Sequence, residues 1–165
     1  MKKTIFFLSV ILFSLTSINT QAQNYNQAFG FRTNFNRCIT FQYRISDGSN
    51  NFFNLEANFK NDYDDDYGLG TSLSADYLWS WNVGPQGLVF YAGPGAYAGF
   101  INKKYRYDSD ETKVNIGIRG YAEIEYRFNN SPIALSLTII PTIDFTPEVR
   151  LPYQSYGGLG IKYCF

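Results

Sequence analysis

A strict alternation of apolar and polar residues between Lys113 and Phe128 constrains the fold more than any other feature. The apolar set is Val114, Ile116, Ile118, Ala122, Ile124, Tyr126 and Phe128, and it alternates with Asn115, Gly117, Arg119, Tyr121, Glu123, Glu125 and Arg127. Successive side chains of a β-strand point to opposite faces, whereas a helix with about 3.6 residues per turn would spread both sets around its axis. The segment therefore predicts a strand with one apolar and one polar face.

The same period of two recurs in seven further segments that turn residues separate. The predicted strands are Tyr25–Thr33, Arg37–Ile45, Phe52–Lys60, Leu69–Trp81, Leu88–Ile101, Lys113–Phe128, Ile133–Phe145 and Gln154–Phe165. Together they predict an all-β, eight-stranded antiparallel up-and-down barrel. Pro94 and Pro141 fall inside the fifth and seventh strands. Proline removes a ladder hydrogen bond and a closed barrel has no edge, so we expect a β-bulge at each. The register around Pro94 is left open.

The connections differ in length on the two sides of this barrel. Ser46–Asn51, Asn82–Gly87 and Asn129–Pro132 are short and rich in turn residues, whereas Asn61–Gly68, Asn102–Thr112 and Thr146–Tyr153 are longer. Short turns on one side and long loops on the other are typical of transmembrane barrels, whose long loops face the cell exterior. The short Thr33–Asn36 connection is an exception on the long-loop side.

The bulk of the apolar face indicates which way it points. It carries Phe29, Phe31, Phe41, Tyr43, Phe53, Phe59, Tyr77, Trp79, Tyr126, Phe128, Tyr163 and Phe165. The interior of an eight-stranded barrel is only just filled by side chains, so this set is too large for it. We therefore expect the aromatic face to contact lipid, with girdles near the strand ends. A soluble lipocalin-type barrel with an apolar interior is the alternative that this argument disfavours.

The first residues have the features of a secretory signal peptide. Lys2 and Lys3 precede an apolar run from Ile5 to Leu15, and Thr20 and Ala22 stand at the −3 and −1 positions of a cleavage site. The apolar run is too short to span a membrane easily, which favours cleavage over an uncleaved anchor. We expect residues 1–22 to be the signal peptide and residues 23–165 to be one barrel domain.

The closing segment carries a resemblance to a known family. Leu159, Ile161, Tyr163 and Phe165 lie on one face of the last predicted strand. From about Tyr25 to Phe165, the chain resembles the small eight-stranded outer-membrane proteins of the OmpA/OmpX type. The resemblance implies an outer-membrane location in the Gram-negative cell envelope and contact with lipid and lipopolysaccharide. It also implies assembly by the barrel-insertion machinery, which recognises the closing strand. It implies no single activity.

The polar face predicts a charge network inside the lumen. Its candidate members are Arg32, Arg44, Glu56, Asp76, Arg119, Glu123, Glu125, Arg127, Asp144 and Lys162. Enclosed charges need partners, so we interpret these residues as a salt-bridged plug. The function that follows is a structural or surface-interaction role through the extracellular loops. A narrow porin-like conduit for small solutes, gated by rearranged ion pairs, is the alternative.

The acidic loop gives only a weak indication of a metal site. Asp62, Asp64 and Asp66 alternate as Ca²⁺ ligands can, but Tyr67 and Leu73 occupy the positions where a calcium-binding EF-hand loop requires Gly and Glu. We therefore expect no metal and no cofactor. A divalent ion bridging these carboxylates to lipopolysaccharide phosphate stays an alternative.

The remaining composition excludes several functions. The chain has no histidine, the base on which the known barrel hydrolases, proteases and acyltransferases rely, so no enzyme is expected. Without Lys2 and Lys3 the mature chain has 12 basic and 14 acidic residues, a net charge of −2 that gives nucleic acid no basic face. The strand map places Cys38 and Cys164 at opposite ends of the barrel, too far apart for a disulfide. A monomer with two thiols is expected.

Overall fold

Antiparallel β-strands form most of the chain that the structure describes. The computed structural model describes residues 25–34, 38–60, 70–84, 86–103, 111–145 and 157–165, with the backbone alone at 60, 101–103 and 111–113. The strands are β1 (Gln27–Asn34), β2 (Cys38–Ser46), β3 (Asn51–Lys60), β4 (Gly70–Asn82), β5 (Leu88–Lys103), β6 (Glu111–Arg127), β7 (Ile133–Ile139), β8 (Thr142–Asp144) and β9 (Gly158–Cys164). Within these ranges, no helix is long and apolar enough to cross a membrane.

The strands close into a barrel. Each strand from β1 to β6 pairs with the next, β6 pairs with both β7 and β8, and β7 pairs with β9. The pairing of β9 with β1 completes the circle, so the strands within the described ranges have no open edge. Because β7 and β8 follow one another along β6, they are two parts of one barrel strand. The barrel therefore has eight strands, as the sequence predicts.

The predicted bulges at Pro94 and Pro141 are wrong. Asp76 of β4 pairs with Gly95, and three residues later Trp79 pairs with Ala92, so equal numbers of residues face each other across the break at Pro94. Between β7 and β8, the chain likewise keeps its register against β6. A bulge needs an extra residue in one strand. Pro94 therefore lies at a gap in the β4–β5 ladder, and Pro141 separates β7 from β8, both without a shift of register.

Two physical reasons explain this outcome. At Gly93, a Cβ atom would lie 1.8 Å from the Tyr77 carbonyl oxygen, so glycine beside the proline lets the two backbones approach closely. At Pro141, the carbonyl oxygen still accepts a hydrogen bond of 2.9 Å from the Gly120 N–H. The proline lacks a donor but keeps its acceptor. The register around Pro94 is also settled, since Pro94 pairs with Gly120 in an unbroken β5–β6 ladder.

Several predicted boundaries also shift. The first strand begins at Gln27, and Tyr25 precedes it. Strands β5 and β6 extend into both ends of the predicted loop Asn102–Thr112. Residues 61–69, 146–156 and 35–37 lie outside the described residues, so the predicted loops Asn61–Gly68 and Thr146–Tyr153 are not tested. We call the end of the barrel with the β2–β3, β4–β5 and β6–β7 connections the turn rim, and the opposite end the loop rim.

The two faces of the barrel have the predicted chemistry. Large apolar side chains point outward, as at Phe29, Phe53 and Leu159, which are 52%, 53% and 60% exposed. Arg32, Glu56 and other charged side chains point into the lumen and are almost completely buried. The barrel is therefore apolar outside and polar inside, the reverse of a soluble protein.

Candidate functional site

Four charged residues form the first ion-pair group in the lumen, which we call the loop-side cluster. They are Arg32 of β1, Glu56 of β3, Asp76 of β4 and Arg119 of β6. Arg32 binds Glu56 through two parallel bonds, Nη1–Oε1 at 2.9 Å and Nη2–Oε2 at 3.0 Å. Arg119 joins the same carboxylate at 2.9 Å and reaches Asp76 through Nε at 2.6 Å. Two cations and two carboxylates therefore balance across four strands.

Glu56 is the centre of this cluster. Besides the two arginines, the side-chain amide of Gln42 donates to Oε1 at 2.7 Å and that of Asn54 donates to the same oxygen at 3.2 Å. A carboxylate accepts through about four lone-pair positions, so its acceptor capacity is filled. Such a saturated carboxylate fixes the positions of its neighbours.

Five more charged residues form the turn-side cluster, nearer the turn rim. They are Arg44 of β2, Glu123, Glu125 and Arg127 of β6, and Lys162 of β9. Arg44 Nη1 lies 2.9 Å from Glu123 Oε1, and Lys162 Nζ lies 2.7 Å from Glu125 Oε2 and also contacts Glu123. Arg127 Nε donates to Glu125 Oε1 at 2.9 Å. Three cations meet two carboxylates, which leaves this cluster one positive charge in excess.

The Tyr121 hydroxyl connects the two clusters. It donates to Glu123 Oε2 at 2.7 Å, while guanidinium N–H groups of Arg32 and Arg44 approach it at 3.4 and 3.3 Å. The Gln42 amide approaches it at 3.2 Å. The charged residues of the two clusters therefore form one hydrogen-bonded network with a neutral link.

Aromatic side chains lie beneath the turn-side cluster. The Tyr25 and Tyr91 hydroxyls are 3.0 Å apart, and each lies 3.2 Å from Glu125 Oε1. The Arg44 guanidinium lies 4.4 Å from the centroid of the Tyr91 ring, and that of Arg127 lies 4.5 Å from the Tyr25 ring. Cation–π contacts of this kind compensate part of the excess positive charge.

Glycines make room for the charged side chains. Gly30 pairs with Lys162 across β1 and β9, and Gly95 pairs with Asp76 across β4 and β5. A Cβ atom at Gly30 would lie 2.6 Å from Lys162 Cγ, and one at Gly95 would lie 2.0 Å from Asp76 Oδ1. A narrow lumen therefore holds long charged residues because the facing positions have no side chain.

Nine of the ten predicted lumen residues belong to these two clusters. The tenth, Asp144, lies half-buried in β8 and accepts a hydrogen bond of 3.3 Å from the Asn115 amide. The sequence-based reasoning missed the neutral partners Tyr25, Gln42 and Tyr91. Gln42 shares the alternation of Arg44 on its strand, which is the signal that could have found it. Tyr91 gives no such signal, because the predicted strand Leu88–Ile101 has no charged residue. Tyr25 begins the predicted first strand, where alternation assigns it to the outer face with Phe29 and Phe31.

The other predicted site residues are dispersed. Leu159, Ile161 and Tyr163 lie on the outer face of β9, with Phe165 just beyond its end. Asp62, Asp64 and Asp66 lie outside the described residues; within the described part, no three His, Cys, Asp or Glu side chains could hold a metal ion. Cys38 and Cys164 lie at opposite rims and form no disulfide, as predicted.

A dense hydrogen-bonded turn joins β2 and β3 at the turn rim. The Asp47 carboxylate accepts bonds of 2.8 Å from the Ser49 N–H, from the Ser49 hydroxyl and from the Tyr77 hydroxyl. These donors, the backbone N–H of Ser49 above all, lower the pKa of Asp47 from its usual value. The charged carboxylate therefore holds this turn against β4.

Two solved structures are similar to this barrel. The N-terminal β-barrel domain of OprF from Pseudomonas aeruginosa has a TM-score of 0.64 and 15% identity, over 86% of this chain and 98% of that domain. Neisserial surface protein A, NspA, has a TM-score of 0.55 and 12% identity, over 84% of this chain and 93% of its own. No protein-family model and no curated protein matches the sequence. The chain thus has the fold of a small eight-stranded β-barrel of the outer-membrane type.

Proposed function

We propose that this protein is an integral barrel of the bacterial outer membrane, with a plugged lumen and a structural or surface-interaction role carried by its loops. The observation that supports it best is the reversed polarity of the barrel, with apolar side chains outside and ion pairs inside. An exterior of this kind is stable in hydrocarbon and not in water. The fold shared with OprF and NspA agrees with this location.

The strand lengths and the outer aromatics support the same assignment. A transmembrane β-strand needs about 9–11 tilted residues. Strand β3 has 10 residues and β4 has 13. Trp79 and Trp81 point outward near the turn rim, where Phe53 and Tyr77 pack edge to face. Aromatic girdles at this level are typical of the membrane interface.

The filled lumen supports a plug rather than a pore. Both clusters connect strands from opposite sides of the barrel, and their charged side chains are at most 7% exposed. An eight-stranded barrel has little interior space beyond its side chains. We propose no catalytic role. The same proposal includes a monomeric state and contacts with lipopolysaccharide. It also includes assembly that depends on the closing-strand residues Leu159, Ile161, Tyr163 and Phe165.

An epitope-tag experiment tests location and orientation together. One variant carries a short tag in the predicted loop Asn61–Gly68, and its matched control carries the same tag in the turn between β2 and β3. We expect antibody to label the first variant on intact cells and the second only after the outer membrane is permeabilised. Labelling of both on intact cells, or recovery of the protein in the soluble fraction, would contradict the proposal.

Planar-bilayer recording tests the plug. We expect refolded wild-type protein to show no steady conductance, and the double variant Arg119→Ala, Arg127→Ala to unfold at lower denaturant or to open a leak. Steady openings of the wild type would instead support the narrow conduit. Unchanged conductance and unchanged stability in the double variant would contradict both functions.

A further inference from the structure

Buried aromatic and aliphatic side chains cross the lumen at the turn rim, and we call them the aromatic layer. Its large members are Tyr25, Phe52 of β3, Leu78 of β4, and Val89 and Tyr91 of β5, each at most 4% exposed. The ring centroids of Tyr25 and Phe52 are 5.3 Å apart, and those of Phe52 and Tyr91 are 5.5 Å apart with the rings edge to face. The layer therefore joins three strands and the segment before β1.

A pocket with a volume of about 260 Å³ lies on the outer side of this layer, at the turn rim. Tyr25, Phe52 and Val89 of the layer form part of its wall. On the inner side, the Tyr25 hydroxyl lies 3.2 Å from Glu125 Oε1 and 3.4 Å from Arg44 Nη1. Tyr25 therefore contacts the pocket and the turn-side cluster at once, and its side chain separates the two.

Tyr25 differs from the other members of the layer because no strand holds it. Within the described chain, its main chain makes no hydrogen bond, and backbone bonding begins one residue later, where the Asn26 N–H binds the Phe165 carbonyl oxygen at 3.2 Å. Its side chain is held by the hydroxyl contacts and by the Arg127 guanidinium, 4.5 Å from the centroid of its ring. The ring can therefore leave the lumen without breaking a strand pairing.

The wall formed by β1, β9 and β7 has space for this ring. Ala28, Cys164 and Ala134 of these strands belong to the same buried cluster, and each is at most 1% exposed although its side chain is small. Ala28 pairs with Cys164, and the bond from Asn26 to Phe165 holds Tyr25 close to this pair. Small side chains fill a lumen incompletely, so a bulky neighbour has to cover them.

We propose that Tyr25 is a removable plug of the lumen. Its ring closes the turn rim and keeps water from the turn-side cluster, and its displacement opens that cluster to the pocket. Apolar surface excludes water, whereas charged side chains bind it, so the aromatic layer is a better barrier than the ion pairs. The ion pairs fill the lumen, and a residue outside every strand seals it. The lumen therefore opens from one rim while the barrel stays closed.

Only the compartment that this opening faces rests on the outer-membrane function proposed above. In that orientation the turn rim faces the periplasm. The seal itself is tested on isolated protein. A failed test of the seal leaves the location proposal intact, and a failed epitope-tag experiment leaves the result on the seal intact.

The test uses Cys164 as a reporter of access to the layer. In a Cys38→Ser background it is the only thiol of the chain. Refolded protein of this parent is treated with iodoacetamide, and mass spectrometry follows the modified fraction. We expect buried Cys164 of the folded parent to react at least about a hundredfold more slowly than in urea-unfolded protein. Adding Tyr25→Ala to the parent should speed the reaction of the folded protein about tenfold or more.

Two control variants separate closure by the ring from other causes. Tyr25→Phe keeps the ring and loses the hydroxyl contacts, so Cys164 should stay as protected as in the parent. Tyr126→Ala makes the same truncation on the outer face near the turn rim, where Tyr126 is 40% exposed, and should also leave Cys164 protected. If Tyr25→Ala fails to fold, Tyr25→Leu takes its place, and its smaller side chain should make Cys164 more reactive than in Tyr25→Phe.

Three results would overturn the proposal. Protection of Cys164 in Tyr25→Ala equal to that in the parent would show that Tyr25 is not the seal. Equal reactivity in Tyr25→Ala and in either control would assign the effect to the hydroxyl contacts or to general loosening of the barrel. Reaction of the folded parent as fast as that of unfolded protein would show a lumen that is already open. Tyr25→Leu is judged by the same three results where it replaces Tyr25→Ala.

Discussion

The two ion-pair clusters of the lumen differ in how their charges balance. In the loop-side cluster, Arg32 and Arg119 share Glu56, and Asp76 supplies the second negative charge. In the turn-side cluster, three cations share Glu123 and Glu125, and nearby tyrosine rings face two of the cations. The first arrangement is typical of a structural connection between strands. In the second arrangement, the cations of the cluster outnumber its carboxylates by one.

The difference also predicts how each cluster responds to mutation. Removing one member of a balanced buried cluster leaves an uncompensated charge and is strongly destabilising. Removing the excess cation from the other cluster brings it closer to neutrality. The same kind of substitution should therefore have unequal effects in two parts of one lumen.

The largest effect is expected for Glu56→Gln. The substitution leaves Arg32 and Arg119 without their shared carboxylate and places an amide donor among four donating side chains. We expect a loss of about 3–5 kcal/mol in the free energy of unfolding, measured by urea titration of protein refolded in lipid vesicles. The exposed change Asn130→Asp is the control, because aspartate tolerates the φ of 63° that Asn130 adopts, and it should stay within about 0.5 kcal/mol of wild type. A change as small as the control's would show that the loop-side cluster holds no strands together.

A smaller effect is expected for Tyr121→Phe, which removes the link between the clusters. Glu123 loses its bond of 2.7 Å from the hydroxyl, and the N–H groups of Arg32 and Arg44 lose a common acceptor. The ring remains in place, so no cavity forms. We expect a loss of about 2 kcal/mol in the same urea titration. No loss at all would mean that the two clusters are energetically separate.

Arg127→Gln should have a smaller effect still. The variant loses the Arg127–Glu125 ion pair of 2.9 Å, the hydrogen bond to the Tyr91 hydroxyl and the contact with the Tyr25 ring, but it also removes the excess charge. We expect a net loss of about 1 kcal/mol in the unfolding free energy. A loss equal to that of Glu56→Gln would break the comparison between the clusters, because both would then behave as balanced groups.

The sequence predicts the faces of the barrel well because strand alternation is local. The pattern from Val114 to Phe128 alone assigns Arg119, Glu123 and Glu125 to the lumen, and the structure places them there. The same reasoning assigned Lys162 correctly from the last few residues of the chain. A period of two needs only neighbouring residues, so no knowledge of the fold is required.

The grouping into two clusters could not be predicted in this way. Arg32 meets Glu56 although β2 lies between their strands, and Arg44 meets Glu123 across the lumen. Such contacts depend on the shear and closure of the whole barrel, which no local pattern determines. Tyr25 illustrates a second limit. Alternation in the predicted first strand assigns it to the outer face with Phe29 and Phe31, but it lies before β1 and turns its ring into the lumen.

The smallest expected effect concerns the Asp47 turn, where pH should distinguish the turn rim from the lumen. Hydrogen bonds to the carboxylate lower the pKa of Asp47 in the folded protein, with the Ser49 N–H as the main donor. The stabilisation is therefore fully present above the unfolded pKa of about 4 and is lost as the pH falls below it.

Asp47→Asn should lower the urea midpoint slightly at pH 7 and make no difference in strong acid, where the wild-type carboxyl is also neutral. Because the group is exposed, the effect should be much smaller than that of any lumen variant. A difference between wild type and Asp47→Asn that persists in strong acid would show that the turn depends on the shape of this side chain rather than on its charge.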